Sequence, residues 1–412
     1  MRFTFIHAAD LHLGSPFIGL ASNDEELAKR VATASREALE ALVDYAIQQK
    51  VAFVLIAGDV YDVDWRDMTI GHFFNREMSR LHREDIPVFL IKGNHDAESV
   101  ITKNLPLPAN VKTYSATEAH TEEISSLRVA IHGRSFANRA VTENLAQSYP
   151  LPKSGWFNIG LLHTSCTGRP DHENYAPCSV DELLQREYGY WALGHVHTFE
   201  QLHTTPPIVF SGNLQGRNIR ETGPKGAVLV SVEDGIVESV QHMPFDQVRW
   251  AALSIDVSDL ITETDVLEAF GDALQFALDS APGIFLVYRA TFHGASHLHR
   301  PWHADPEKLR NDLEATAAHR TANAAMESLR LNTSEPIAVT AEADPGLMAL
   351  DLGTMMLPLL SSPDVKQEAA DALAVLRSKF PAVIPPDTLF GPDSLQRLLH
   401  EAREALLNAE VV

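Results

Sequence analysis

Two carboxylates stand directly after an apolar segment, where a catalytic or metal-binding site is expected. Residues 51–57 are almost all apolar, and Gly58, Asp59 and Asp62 follow at once. A short apolar run that ends at a turn residue is typical of a buried parallel strand. In open α/β sheets, ligands bind just beyond the carboxyl ends of the strands. Asp59 and Asp62 are therefore candidate site residues.

Four further segments show the same pattern, an apolar run that ends in Asp, Asn or His. The polar residues at the ends of these runs are Asp10, His12, Asn94, His95, Asp96, His163, His195 and His197. Carboxylate, amide oxygen and imidazole suit manganese, iron or zinc better than calcium or magnesium alone. About seven protein ligands are too many for one ion with an open position, so they predict two ions that share a bridging carboxylate. Asp59 is the natural bridge, because Gly58 lets the turn come close.

The order of these motifs carries more information than any one of them. They are Asp-x-His at 10–12, Gly-Asp-x-x-Asp at 58–62, Gly-Asn-His-Asp at 93–96, a single His at 163 and Gly-His-x-His at 194–197. Together they resemble the calcineurin-like metallophosphoesterase superfamily. Each histidine alone could be a satisfied core residue, but five motifs in order at strand ends make coincidence a poor explanation.

The resemblance implies both a fold and a set of residue roles. The fold would be a four-layer αββα sandwich. One ion would be bound by Asp10, His12, Asp59 and His197, and the other by Asp59, Asn94, His163 and His195. His95 would be the catalytic acid or the group that stabilises the transition state, with Asp96 beside it. Asp62 would hold a histidine of the site or the loop itself. The cofactors would be two divalent ions, Mn²⁺ in the first place, with Fe or Zn as alternatives.

The composition limits the class of protein. The chain has 412 residues, of which 33 are basic and 55 acidic, and its formal net charge is −22. This charge disfavours a protein that wraps DNA by charge alone, but not a nuclease whose metal ions neutralise the phosphate. Two cysteines, Cys166 and Cys178, form no metal motif and fit a reducing cytoplasm. We expect neither a signal peptide nor a membrane-spanning segment.

The apolar pattern predicts three regions. Residues 1–245 would form the phosphoesterase domain, in which helices and strands alternate and residues 199–242 complete the second sheet. Residues 246–335 would form a small α+β domain, which resembles the capping domain of the nuclease branch of the superfamily. Residues 336–412 would be mostly helical, and the chain already reads as mostly helical from about residue 305.

The segment 208–226 narrows the resemblance. It is rich in glycine and basic residues, follows the Gly-His-x-His motif and is similar to the bacterial DNA-repair exonuclease branch, the SbcD and YhaO type. Arg217, Arg220 and Lys225 could contact the phosphate of a bound strand, since Arg pairs well with phosphate oxygens. The alternative is a loop that only closes the edge of the sheet.

Two further features are open to a functional and a structural interpretation. Residues 393–409 are predicted to form an amphipathic helix that would pack on its own domain. The resemblance implies instead that it docks on an SbcC-like coiled-coil ATPase, and it also implies a homodimer. His297, His299 and His303 are interpreted as part of a surface loop rather than as a third metal site.

The sequence therefore predicts a two-metal DNA nuclease or phosphodiesterase that acts in double-strand-break repair. DNA and the ATPase would be its partners, and no membrane would be involved. One alternative is a small-molecule phosphodiesterase or phosphatase with the same site, which the negative charge favours and the added second half disfavours. Another is a non-catalytic scaffold for an ATPase, against which the complete ligand set counts.

Overall fold

The computed structural model describes residues 1–15, 25–62, 68–97, 105–166, 175–336, 362–363 and 365–371. The predicted partner-binding helix 393–409 and most of the predicted helical region 336–412 lie outside these residues. The docking and dimerisation hypotheses stay predictions. None of the described helices is long and apolar enough to cross a membrane.

Strands and helices alternate at the start of the described chain, and strands predominate between β3 and β13. The first elements are β1 (Arg2–Ala8), α1 (Glu25–Gln49), β2 (Phe53–Ile56), α2 (Met68–Arg83), β3 (Val88–Leu90), β4 (Val111–Thr113), β5 (His120–Ile124), β6 (Val129–Gly133), β7 (Phe157–His163), α3 (Val180–Leu184), β8 (Tyr190–Gly194), β9 (Glu200–Thr204) and β10 (Pro207–Phe210). The remaining elements are β11 (Gly226–Glu233), β12 (Ile236–Pro244), β13 (Val248–Asp256), α4 (Glu263–Asp279), β14 (Phe285–Ala295), α5 (His299–Ala304), α6 (Pro306–Arg320) and β15 (Ala324–Ser334).

The first sheet has six strands in the order β12-β11-β1-β2-β3-β4. Strands β1 to β4 are parallel, while β11 runs antiparallel to β1, with Phe3 opposite Val232. The expectation that all strands of 199–242 complete the second sheet is therefore wrong for β11 and β12. Both faces of β1 are buried, so its backbone groups need a partner strand on each edge, and β11 provides the second one.

The second sheet also has six strands, in the order β5-β6-β7-β8-β10-β9. Its four central strands are parallel, and an antiparallel strand lies at each edge. The parallel strands are buried along their whole length, as their almost continuous apolar sequences indicate. The carboxyl ends of β7 and β8 deliver His163 and the Gly-His-x-His motif.

The two sheets pack face to face, and helices cover their outer faces. Successive residues of a strand point to opposite faces, so Phe5 packs between the sheets while Ile6 packs against α1 and α2. On the second sheet, Ile159 faces the inner core, and Trp191 faces an outer cluster that includes Leu183 of α3. This arrangement confirms the predicted α/β sandwich of four layers, αββα.

A third sheet follows, in which β14 lies between β13 and β15. The expectation of helix from about residue 305 holds for α6 but is wrong for β15, where Met326 and Glu327 are buried. The expectation of a surface loop around the histidine cluster is also wrong in part. His299 is buried at the start of α5, and its Nδ1 lies 2.9 Å from Thr333 Oγ1.

Spatial proximity divides the chain into two compact units. The first contains residues 1–254, 269–291 and 314–330, and the second contains 255–268, 292–313 and the described residues from 331 onward. All candidate site residues lie in the first unit. The domain limits expected at 245 and 335 stay predictions.

Candidate metal centre

The candidate site residues lie at the carboxyl ends of strands from both sheets. β1 leads to Asp10 and His12, β2 leads to Asp59, and these two segments are joined beyond the strands by backbone hydrogen bonds. The N–H of Asp10 donates to Gly58 O at 2.9 Å, and the N–H of His12 donates to Asp59 O at 3.0 Å. These bonds extend the pairing of β1 and β2, so both carboxylates face the same end of the sandwich.

Several predicted ligands have a backbone conformation that is unfavourable for residues with a side chain. The φ angles of Asp10, His12, Asp59 and His195 are 52°, 42°, 54° and 99°. Such conformations cost roughly 1–3 kcal/mol each and persist where the surroundings fix them, often at functional sites. Four predicted ligands with this conformation at the ends of β1, β2 and β8 agree with a functional role for these ends.

Three glycines allow the close approach of these segments. A Cβ atom on Gly58, whose φ is 95°, would lie 2.6 Å from His163 Nδ1. A Cβ atom on Gly93 would lie 2.2 Å from Asp59 Oδ1, and one on Gly194 would lie 2.1 Å from Ala57 O. The need for a glycine before the Asp59 carboxylate was predicted. The same requirement at Gly93 and Gly194 depends on contacts between strands.

Asp59, Asn94 and His163 form what we call the deep half of the centre, and all three are buried. His163 Nδ1 lies 2.8 Å from Ala57 O, which can only accept a hydrogen bond, so Nδ1 carries the proton. The unprotonated Nε2 lies 2.9 Å from Asn94 Oδ1 and 3.5 Å from Asp59 Oδ2. Burial lowers the pKa of His163 to about 3, so its ring is neutral and able to bind a metal.

Asp10, His12 and His197 form the rim half. His12 Nε2 and His197 Nε2 lie 3.2 Å apart, and both face the space beside Asp10. The Asp10 carboxylate accepts the N–H of His195 at 2.9 Å. His197 Nδ1 lies 2.8 Å from Glu221 Oε1, which accepts its proton and leaves Nε2 with a lone pair. The ring of His195 lies beside His163, at 5.2 Å between ring centroids.

The donor set of both halves fits divalent cations. In the deep half, lone pairs of nitrogen and oxygen face one another with no proton between them, an arrangement that a bound cation would stabilise. In the rim half, two histidine Nε2 atoms lie 3.2 Å apart beside a carboxylate, which is also a set of metal-ligand atoms. Burial raises the pKa values of Asp10 and Asp59, and the proximity of Asp59 raises that of Asp10 further. Two buried carboxylates beside each other are costly without positive charge. Six of the predicted ligands therefore converge in an arrangement that suits metal ions, namely Asp10, His12, Asp59, Asn94, His163 and His197. A role of His195 as a ligand stays a prediction.

His95 lies at the mouth of this space and is 24% exposed. Its Nδ1 lies 2.8 Å from Asp62 Oδ1, and the same carboxylate oxygen lies 3.7 Å from His12 Nδ1. Burial by itself lowers the pKa of His95, but the contact with Asp62 and the nearby Asp59 carboxylate raise it overall. The predicted role of Asp62 in holding a histidine agrees with this geometry.

Asp96 has a different position from the one expected beside His95. Its carboxylate is buried and accepts the backbone N–H groups of Val60, Tyr61 and Gly93, at 3.0, 3.1 and 3.2 Å. Burial and the nearby Asp59 raise the pKa of Asp96 to about 7. Asp96 thus joins the loop after β2 to the loop after β3, whereas the carboxylate in contact with the His95 ring is that of Asp62.

The three basic residues predicted to contact phosphate differ in their surroundings. Arg217 lies at the edge of the centre, with Nη1 3.8 Å from Asp62 Oδ2 and Nη2 2.8 Å from Glu221 Oε1. Arg220 is exposed. Lys225 is buried, and its ammonium donates to His197 O at 2.6 Å, so it supports the loop. A phosphate contact stays a prediction for all three.

Sequence reasoning missed Glu221, which contacts a predicted metal ligand. Nothing in the local pattern marks this residue, because it follows Arg217 in a segment without regular structure. Its contact with His197 depends on how the segment after β10 folds back over the rim half. The one available signal was the charge pair at a spacing of four residues.

Comparison with known proteins gives the family. The family model for calcineurin-like phosphoesterases matches residues 3–199, and the model for the middle domain of metallophosphoesterase YhaO matches residues 250–334. The chain is 34% identical over 275 residues to the uncharacterized metallophosphoesterase YhaO of Bacillus subtilis. The aligned region covers 65% of this chain and 67% of that protein.

More distant similarity is found to archaeal proteins named DNA double-strand break repair protein Mre11. The one from Sulfurisphaera tokodaii is 23% identical over 275 residues, which is 63% of this chain and 67% of that protein. The one from Thermoplasma acidophilum is 23% identical over 259 residues, which is 59% of this chain and 66% of that protein. The family matches confirm the resemblance seen in the motifs: the chain belongs to the calcineurin-like metallophosphoesterases and, within them, to the YhaO family, whose members are phosphoesterase hydrolases.

Proposed function

We propose that this protein is a two-metal phosphodiesterase that hydrolyses DNA and acts in double-strand-break repair. The observation that carries the proposal is the convergence of buried metal-ligand atoms behind a partly exposed His95 that contacts Asp62. A metal pair with a protonatable group at its mouth is what hydrolysis of a phosphodiester requires. The names of the distant archaeal relatives support DNA as the substrate class.

The chain's own residues would divide the work as follows. The deep half, with His195, would hold one ion, the rim half would hold the other, and Asp59 would contact both. When bound, two divalent ions supply positive charge to the phosphate and lower the pKa of the attacking water. We propose Mn²⁺ as the metal, because the ligand set is rich in nitrogen.

His95 would act on the leaving group. The contact of its Nδ1 with Asp62 fixes the ring and leaves Nε2 as the atom that donates a proton to the departing sugar oxygen. Arg217 lies beside the same carboxylate and offers a guanidinium for a phosphate oxygen. Asp62 would thus orient both groups that meet the substrate.

A small-molecule phosphodiesterase is the second candidate, and one observation favours it. The net charge is −22, and of the three basic residues expected to contact phosphate, Lys225 is buried against the His197 carbonyl. A long nucleic acid would therefore find little positive surface from these residues. A small cyclic or diester substrate needs only the metal centre and His95.

A substrate panel distinguishes the two candidates. Purified full-length protein with Mn²⁺ is given linear duplex DNA, single-stranded DNA, cyclic nucleotides and bis-nitrophenyl phosphate side by side. His163→Asn, purified in the same way, measures contaminating nuclease. We expect cleavage of DNA and of the nitrophenyl diester by the wild type only. Efficient turnover of cyclic nucleotides with no turnover of DNA would favour the small-molecule candidate.

The salt dependence of DNA binding provides a second measurement. Each phosphate neutralised by a basic side chain steepens the fall of affinity with salt, by about 0.9 in the logarithmic slope for duplex DNA. We expect a shallow slope, because Arg217 and Arg220 are the contacts proposed here. A slope that corresponds to many phosphate contacts would contradict this interface.

A further inference from the structure

We propose that Glu221 is a positioning residue that holds His197 in the tautomer able to bind a metal ion, and that glutamine cannot replace it. The inference rests on the proposed two-metal centre and assigns to this residue the control of the rim half. It concerns the ring protons of one histidine, so it is testable without substrate.

The side chains of Glu221 and His197 are in direct contact. Glu221 Oε1 lies 2.8 Å from His197 Nδ1, and the Glu221 side chain is only 10% exposed. Arg217 Nη2, which can only donate, also lies near Nδ1, but at the longer distance of 3.1 Å. Because the nearer carboxylate only accepts hydrogen bonds, we infer that Nδ1 carries the proton and Nε2 carries the lone pair. That lone pair faces His12 Nε2 at 3.2 Å, on the side of Asp10. Carboxylate–histidine pairs of this kind orient metal ligands and fix their tautomer.

The other carboxylate oxygen of Glu221 accepts hydrogen bonds from its own donors. Glu221 Oε2 accepts the backbone N–H of Arg217 at 2.8 Å and the Asn213 side-chain amide at 2.9 Å. The Arg217 N–H cannot act as an acceptor, so this position requires an oxygen. The carboxylate is therefore held at Oε2, and its Oε1 is shared between His197 Nδ1 and the Arg217 guanidinium, whose Nη2 lies 2.8 Å away.

Hydrogen bonds anchor the segment that carries Glu221. Trp250 Nε1 donates to Gly216 O at 3.0 Å, and the N–H of Gln247 donates to Gln215 Oε1 at 2.8 Å. Both donors belong to the start of β13 or the residues before it. The segment is thus fixed to the first strand of the third sheet. These hydrogen bonds help to hold Glu221 in its position beside His197.

These contacts make glutamine the informative replacement. Its oxygen must take the Oε2 position, because the Arg217 N–H points there. Its NH₂ group then faces His197 Nδ1 as a donor and selects the opposite tautomer, with the proton on Nε2. That proton occupies the lone pair needed by the metal. We expect Glu221→Gln to weaken one of the two metal sites by about 10–100-fold, although it has the same size and shape.

The experiment compares full-length wild type, Glu221→Gln and Glu327→Gln. Glu327 is a suitable control, because its side chain is 7% exposed and pairs with Arg289 at 2.6 Å, away from the predicted ligands. Calorimetric titration with Mn²⁺ alone gives the affinity of each site. Nitrogen-15 spectra of histidine-labelled, metal-free protein give the tautomer of His197, whose signal is identified by its loss in His197→Asn.

The expected result has two parts. In Glu221→Gln, one site loses affinity, the other keeps it, and the His197 proton moves from Nδ1 to Nε2, while Glu327→Gln matches the wild type. If Glu221→Gln does not fold, Glu221→Ala replaces it. In the alanine variant the Arg217 guanidinium, 3.1 Å from Nδ1, is the donor that remains there, so the proton should again shift towards Nε2, with a several-fold loss at one site.

Two outcomes would overturn the inference, and they are distinguishable. Unchanged affinity and an unchanged tautomer in the glutamine variant, with two sites in the wild type, would overturn the role of Glu221 and leave the proposed function intact. A wild type without two metal sites would overturn both. Failure to cleave DNA would affect the proposed function alone, because neither readout contains substrate.

Discussion

The two halves of the metal centre are held in place by different parts of the molecule. In the deep half, His163 is fixed by a backbone carbonyl at the end of β2, and Gly58 and Gly93 provide the space. In the rim half, His197 is fixed by a side chain, Glu221, from the irregular segment after β10. The deep half is thus a direct consequence of the sandwich. The rim half has the same support at Asp10 and His12, which follow β1, but its His197 depends on an added loop.

This difference teaches where change is tolerated. A site built from strand ends is as rigid as the sheet, and a substitution there disturbs many contacts at once. A site held by a loop side chain adjusts more readily, and its properties are set by a few hydrogen bonds. We therefore expect substitutions in the deep half to abolish function. Substitutions around the rim half should reduce function only in part.

The largest expected effect comes from Gly93→Ala in the deep half. The new Cβ would lie 2.2 Å from Asp59 Oδ1, so the bridging carboxylate must move. We expect both ions to be lost, activity to fall to background and stability to drop by roughly 1–3 kcal/mol. Elemental analysis and thermal unfolding measure these effects.

Gly155→Ala is the matched control for that prediction. Gly155 also lies in a loop, and its φ is 76°, but no atom lies within 4 Å of the position of a new Cβ. It should cost roughly 1–2 kcal/mol from backbone strain alone and leave metal binding unchanged. Two retained ions in Gly93→Ala would show that the deep half is less rigid than the comparison requires.

His95→Ala tests the separation of chemistry from metal binding. The ring contacts Asp62 and lies beside the His12 ring, at 4.9 Å between centroids, but it is not one of the predicted ligands, so both ions should stay bound. Loss of general-acid help should lower turnover of DNA by about 10²–10⁴-fold. A nitrophenolate leaving group needs no proton, so the nitrophenyl diester should suffer less.

Turnover of both substrates and metal content are measured on the same samples of His95→Ala. Equal losses on the two substrates would favour stabilisation of charge over protonation of the leaving group. Loss of an ion would show that His95 belongs to the ligand set.

The smallest expected effect comes from Trp250→Phe, which loosens the rim half from a distance. It removes the hydrogen bond from the indole Nε1 to Gly216 O and should cost about 0.5–1.5 kcal/mol of stability. Because this bond fixes the segment that carries Glu221, we expect one metal site to weaken a few-fold. Calorimetric titration with Mn²⁺ measures the change.

Trp191→Phe provides the control for Trp250→Phe. Trp191 is buried and loses an equivalent bond, from its Nε1 to Leu183 O at 3.1 Å, on the outer face of the second sheet. Its stability should fall by a similar amount with no change in metal affinity. The same few-fold weakening in both variants would mean that general stability, rather than the segment, determines the affinity.

The same comparison explains what could be predicted from the sequence. The deep half follows from local signals, since an apolar run, a turn residue and a polar side chain lie next to one another in the chain. The carboxyl ends of the neighbouring parallel strands β2 and β3 then bring Asp59 and Asn94 together. His163 ends β7 of the second sheet and joins them because the two sheets pack face to face. The sandwich was predictable for the same reason, because helices and strands alternate.

The remaining features depend on contacts between distant segments, which leave no local pattern. Glu221 meets His197 only after the segment beyond β10 folds back, and β11 joins the first sheet because β1 has an open edge there. Asp62 and Asp96 are both carboxylates beside the site. Their different partners, the His95 ring for one and backbone N–H groups for the other, are set by the geometry of two loops.

The bridging role of Asp59 is the most direct test of the two-metal account. Elemental analysis is applied to wild type, Asp59→Asn and the control Asp246→Asn, whose buried carboxylate pairs with Arg249 at 2.8 Å instead. The account predicts two divalent ions per chain in the wild type and in Asp246→Asn, and none in Asp59→Asn, because Asp59 would contact both ions. A single tight ion in the wild type, or two ions retained in Asp59→Asn, would contradict it.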